Sequence, residues 1–106
     1  MAVDYNKVLI RRGKLVYQGK PLGPVGNVYA FPGEQVHLGR SAEIVVCSTP
    51  ARIDLVFAAG KRVVGCEVKT YDDLLGSYTT RRLHRQLATL SRTVDVSCLV
   101  IRYDHH

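Results

Sequence analysis

No apolar run in this 106-residue chain approaches the roughly 20 residues of a membrane span, and Met1-Ala2-Val3-Asp4-Tyr5 is not a charged start leading into an apolar secretory stretch. These absences set the expectation of an intracellular protein, cytoplasmic or held in a nucleoid or nucleus, with no signal peptide, transmembrane segment or membrane partner. Cysteine is scarce. Cys47, Cys66 and Cys98 are an odd set without a Cys-x-x-Cys spacing, which argues against a disulfide framework or a zinc knuckle and leaves small buried hydrophobes as the reading. His37 and His84 are isolated, and His105-His106 read as a solvated tail or the beginning of a purification tag. Internal repeats, low-complexity tracts and linkers are missing. Acidic residues are few as well: nine Asp and Glu against fifteen Lys and Arg give a net charge of +6. That surplus favours a polyanionic partner, although solubility also accounts for it and charge alone does not separate nucleic acid from an anionic surface.

What is present fits one soluble domain, residues 1–106. The hydrophobic fraction of 46% and the charged fraction of 23% are ordinary, and the length suffices for a single core without staples. The N-terminal strands and loops, 1–41, are the least legible part. Lys7 to Tyr17 reads as a hairpin turning at Arg12-Gly13 or Gly13-Lys14. Gln18 to Gly26 is a loop by its Pro and Gly content. A short strand over Val28 to Phe31 and a Pro32-Gly33 turn follow, and Glu34 to Gly39 is either a helical turn or a loop. The core, 42–103, opens with a strand over Ala42 to Cys47, ended by Ser48-Thr49-Pro50.

The chain is organised around two β-branched, apolar stretches, Ile53 to Phe57 and Arg62 to Thr70, joined by the Gly-containing Ala58-Ala59-Gly60-Lys61. They read as an antiparallel hairpin. Side chains alternate along a strand, so Val64, Cys66 and Val68 go to a core while Glu67 and Lys69 share the other face. Ile53, Leu55 and Phe57 share a face on the neighbouring strand, which sets Asp54 opposite. In the simplest register Asp54, Glu67 and Lys69 converge. Two adjacent carboxylates repel unless a positive charge sits between them, and a hard divalent cation with oxygen ligands suits the gap. A Glu-x-Lys on the wet face of a sheet is the commoner occurrence.

After Lys69 the period changes from two to helical. Thr70 and Asp73 have capping-box spacing, and Leu74, Leu75 and Tyr78 follow on one side. Leu83, Leu87 and Leu90 form a second stripe rotated by more than a quarter turn, at ~100° per residue. The mismatch predicts a short helix, a break between Gly76 and Thr80, and a second helix from Arg81 to Arg92, capped by Thr79 or Thr80. Arg82 and Gln86 are neighbours on it. A last strand runs from Val94 to Arg102.

Asp54, then Glu67-Val68-Lys69 a dozen residues on, then a helix carrying Gln86, resembles the PD-(D/E)XK nuclease superfamily. Within it, the run from Glu67 to Ser77 with Arg82-Leu83 and Gln86 resembles the XPF-type structure-specific endonucleases, over Asp54 to Ile101. Val68 stands where that group has Arg, Ile53 where the superfamily has Pro, and Arg81 where a Gly precedes the Arg. The resemblance implies an α/β fold of restriction-endonuclease type, a single domain with a central mixed sheet flanked by helices. It implies a metal-dependent phosphodiesterase, a structure-specific endonuclease cutting branched DNA in repair or recombination, that binds DNA mainly through phosphates and pairs as a homodimer. Asp54, Glu67 and Lys69 are then catalytic, with Asp54 and Glu67 holding Mg2+ or Mn2+. Arg82 and Gln86 position phosphate or support the site, and Glu34 or Glu43 is the candidate for a further acid. The alternative is a nuclease-like module that binds DNA or dimerises without catalysis.

Overall fold

The computed structural model describes residues 6–34 and 43–103. Two sheets and two helices occur among them. A three-stranded antiparallel sheet comprises β1 (Leu9–Arg11), β2 (Lys14–Tyr17) and β3 (Lys20–Pro24). Its two connections are both two-residue turns with positive φ at each position, Arg12 (51°) with Gly13 (75°) and Gln18 (52°) with Gly19 (77°). That geometry matches the twist of paired strands. The first turn falls where the sequence placed it. The second converts the expected Gln18 to Gly26 loop into a strand, because Pro21 and Pro24 lie on an edge strand where a missing N–H does no harm.

The second sheet has the order β5-β4-β6-β7-β8, built from β4 (Val28–Ala30), β5 (Ile44–Val46), β6 (Leu55–Ala59), β7 (Arg62–Thr70) and β8 (Val96–Arg102). It is mixed: β4 runs parallel to β5, β6 is antiparallel to both β4 and β7, and β7 runs parallel to β8. A parallel pair needs a crossover, supplied here by α1 (Tyr71–Thr79) and α2 (Arg82–Thr93). The expected mixed α/β architecture in one domain is therefore present. No helix among the described residues is long and apolar enough to cross a membrane.

Thr70 caps α1 as its spacing predicts, its hydroxyl accepting from Asp73 N at 3.2 Å. The break falls at Thr80 and Arg81, the far end of the expected span. Thr80 ends α1, its hydroxyl donating to the Gly76 carbonyl at 3.1 Å, so it does not cap α2. Arg81 precedes α2 in a left-handed conformation (φ 61°) with no side-chain cap.

Both faces of the large sheet are apolar. The main core, on the helix side, joins Val56 and Val63 to Leu90 and Val94 of α2, with Ile53, Tyr29, Val8 and Leu15. The other face gathers Ala30, Leu55, Val64 and Cys66. Two expectations change here. Ile53 precedes β6 and packs in the main core, away from Leu55 and Phe57. The face carrying Glu67 and Lys69 is also the one with the larger core, because Val63 and Gly65 occupy it further back on β7. Gly65 is what lets α2 approach: a Cβ there would lie 2.8 Å from Leu90 Cδ1 and 3.0 Å from Val94 Cγ2.

All three cysteines are free; Cys66 is buried and Cys47 and Cys98 are partly buried. His84 is exposed on α2 with its ring 5.6 Å from that of Tyr78. His37, His105, His106 and the 35–39 part of the ambiguous segment lie outside the described residues.

Candidate active site at the end of the central hairpin

The chain reaches Asp54 through a tight turn. Residues Pro50–Arg52 form a 3-10 segment in which Ala51 (φ 53°) and Arg52 (φ 57°) are both left-handed, a conformation that costs non-glycine residues about 1–2 kcal/mol each. It is held by the Arg52 N–H donating to Thr49 O (3.2 Å) and the Ile53 N–H to Pro50 O (3.1 Å). The buried Thr49 hydroxyl donates to the Ile53 carbonyl. The turn delivers Asp54 just before β6, next to Leu55, which pairs with Cys66.

That register sets Asp54 opposite Glu67. Asp54 is fixed at two points: its carbonyl accepts from Phe31 N at 2.9 Å, and its Oδ2 accepts from Val68 N at 2.8 Å. The side chain thereby takes over a ladder position that a main-chain carbonyl would otherwise fill. Glu67 is half-buried beside it. Burial, and next the Asp54 charge, push the Glu67 carboxyl up to about 7; Lys69 opposes this, and the hydrogen bond with Asp54 and the charge of Glu34 add to it. Lys69 is two residues further along β7 on the same face, so the three residues predicted to converge do so.

Of the two further acids, the fold brings in Glu34 and not Glu43. Glu34 N donates to Phe31 O at 3.0 Å, and Phe31 is itself bonded to Asp54, so the turn after β4 is tethered to the site and its carboxylate is felt at Glu67. Glu43 is exposed at the start of β5, its carbonyl accepting from Val28 N at 2.7 Å. Val28 is at the far end of β4 from Ala30, the partner of Leu55. Among the described residues, no three His, Cys, Asp or Glu side chains form a group suited to a metal ion.

A groove of about 290 Å³ runs from Glu67 along α2, lined by Arg52, Ile53, Arg82, Arg85 and Gln86 among others. Arg82 and Gln86, expected to flank the site, lie in it. Arg52 and Arg85 were not legible as site residues: Arg85 is three residues from Arg82 on one helix face, a spacing that could have revealed it, whereas nothing periodic marks Arg52. A slightly larger groove, about 310 Å³ near Lys20 and Ser48, has no carboxylate in its lining.

Comparison with protein families, curated proteins and solved structures gives no match to this chain.

The donor set suits a hard divalent cation. Two carboxylates are forced together, and among the described residues the buried Gln86 Oε1 has no hydrogen-bond partner in the adjoining groove. A hydrated Mg2+ or Mn2+ ion would meet both demands, since it needs only one or two carboxylates and carries water donors. Asp54 and Glu67 would hold it.

Proposed function

We propose that this protein is a metal-dependent phosphodiesterase that acts on DNA as an endonuclease, with branched molecules as its preferred substrates. One observation carries the reading: the Asp54–Glu67 carboxylate pair, with Lys69 on the same face, opens into a groove walled by arginines. Carboxylates repel a phosphodiester, so an acid pair beside a cationic groove makes sense when a divalent cation bridges the two charges.

Asp54 and Glu67 would hold Mg2+ or Mn2+, which when bound would supply a more acidic water and polarisation of a phosphoryl oxygen. Asp54, anchored by the Val68 N–H, gives a rigid carboxylate. Glu67 becomes a ligand when it loses its proton, so its affinity for a cation rises as pH climbs through about 7. Lys69 has no lone pair to offer a metal and instead steadies charge building on the phosphoryl oxygens. Arg82 and Gln86 position the strand. The net charge of +6 provides affinity for phosphates that is independent of sequence and falls steeply with salt.

The preference for branched DNA rests on the resemblance of Thr70 to Gln86 to enzymes that cut near junctions of duplex and single strand. A second reading, a DNA-binding or dimerisation module without catalysis, draws on the exposed stripe of Tyr71 (44%), Leu75 (52%) and Tyr78 (63%) along α1. The deciding experiment compares cleavage of flap, splayed-arm, single-stranded and duplex DNA, and matched RNA, by wild type and Glu67→Ala with and without Mg2+. Metal-dependent cleavage lost in Glu67→Ala supports the enzyme. Salt-sensitive binding with no cleavage of any substrate by wild type establishes the second reading.

A further inference from the structure

Arg52 and Arg85 line the same groove as Glu67, yet neither has a part in the chemistry above. Among the described residues, neither guanidinium enters an ion pair. Lys69 is the cation that opposes the raised Glu67 carboxyl. The arginines therefore face the groove without neutralising its acid. Arg52 is aimed there by backbone: the left-handed pair Ala51-Arg52 is pinned by main-chain bonds to Thr49 and Pro50. Arg85 lines the same groove from the first turns of α2. That helix has no acidic residue in its first turn, and its N-terminal residue Arg81 makes no side-chain cap, so the helix dipole adds to the positive potential there.

A guanidinium fork matches phosphate in shape and charge, and about 290 Å³ is at the small end of ligand sites. We propose that this groove is a phosphate subsite contiguous with the acid pair, in which Arg52 and Arg85 are positioning residues that grip one phosphate of the nucleic-acid strand next to the phosphate being cut. The identity of the strand's second phosphate as the one cut rests on the nuclease reading; the grip on a single phosphate does not.

The test is fluorescence anisotropy of labelled splayed-arm DNA without divalent metal, so that binding is read apart from cleavage. Arg52→Gly, Arg85→Gln and the double variant are compared with wild type over a range of salt. Glycine suits the left-handed φ of 57° at Arg52, so the turn is retained when the guanidinium is removed, and thermal melting verifies the fold of each variant.

Each single change is expected to weaken binding about 10-fold, the scale of a lost charge-assisted hydrogen bond. Because both residues serve one phosphate, the slope of log K against log salt should fall by about one in the double variant, and not by about two. Neutral methylphosphonates, scanned one phosphate at a time, should reveal one position that weakens wild type and leaves the double variant unchanged. Unaltered affinity in folded Arg52→Gly and Arg85→Gln overturns the subsite, as does loss of affinity with no such position in the scan. Competition by a poly-glutamate peptide as strong as that by DNA of equal charge also overturns it and directs attention to an acidic protein. If wild type cuts nothing but the methylphosphonate position is found, the subsite stands and the nuclease reading falls.

Discussion

The two ends of β7 hold acids in opposite circumstances. Toward the start of the strand, Asp95 is fully employed: its Oδ1 lies 2.7 Å from Lys7 Nζ and its Oδ2 accepts from Val63 N at 2.8 Å. The hydrogen bond with Lys7, then that with Val63, hold its carboxyl below the usual range. Further along, Glu67 faces Asp54 under partial burial and is driven upward to about 7. Asp95 ties the N-terminal segment to the sheet, beside the Val8 N–H that donates to Thr93 O at 2.8 Å. Glu67 contributes nothing comparable. An acid that is satisfied belongs to the scaffold, and an acid kept in an unfavourable setting by well-packed surroundings is one to test for function. Gly65 separates them, where α2 comes closest; beyond it the helix stands off and the groove opens.

The comparison is broken most decisively by activity. Glu67→Ala should reduce metal-dependent DNA cleavage by about 10³-fold, the equivalent of the several kcal/mol that a bound metal contributes, with melting temperature nearly unchanged. Asp54→Ala should likewise abolish metal binding in calorimetry, while Lys69→Ala should spare it and slow the reaction. Equal loss of metal binding in all three folded variants would contradict these roles.

Gly65→Ala tests the wall between the two regions. A methyl group 2.8 Å from Leu90 Cδ1 must displace α2 or its side chains, and overpacking of this kind costs about 1–3 kcal/mol. Thermal melting should register the loss, and the groove should change with it, lowering DNA affinity too. An unchanged melting temperature would show that α2 moves away freely.

Asp95→Ala should cost about 1–2 kcal/mol, mainly because the Val63 N–H loses its acceptor. The pH dependence gives the sign. With a folded-state pKa lowered from 3.8, Asp95 contributes its full stabilisation above the unfolded value and loses it as pH falls through the lower folded value. Acid titration of wild type and Asp95→Ala should therefore converge at the acid end. Divergence there would remove Asp95 from the scaffold.

Glu67→Gln should do the reverse, and by less. A carboxyl raised from 4.5 to about 7 favours the protonated folded state, so its contribution is complete below the unfolded pKa and is lost as pH rises through about 7. At pH 8 the neutral amide should stabilise the metal-free protein by about 1 kcal/mol, after allowance for solvent screening at this half-exposed site. Urea denaturation at pH 5 and pH 8 measures it: no gain at pH 8 would mean that Glu67 is not strained by its surroundings.

Local pattern was enough to read the hairpin of β6 and β7, the β7-to-α1 junction at Thr70, the two helices and the closing strand. Strand alternation and helical spacing are written into neighbouring residues, so one register brought Asp54 opposite Glu67 without knowledge of anything distant. What failed was set by contacts across the chain. Gln18 to Gly26 looked like a loop because its prolines were visible and its edge position was not. Glu34 and Glu43 were equal candidates in sequence; a main-chain bond from Phe31 to Asp54 chose Glu34.

Composition and periodicity by themselves determined a basic, single-domain α/β chain and the Asp54, Glu67 and Lys69 cluster, because each depends on charge count or on spacing within one hairpin. Tertiary structure alone decided that Glu67 is half-buried on the side of the larger core, that Gly65 admits α2, and that Arg52 and Arg85 line one groove. Burial and long-range proximity arise from packing α2 over β7, and no local period encodes the distance between a turn at residue 52 and a helix at residue 85.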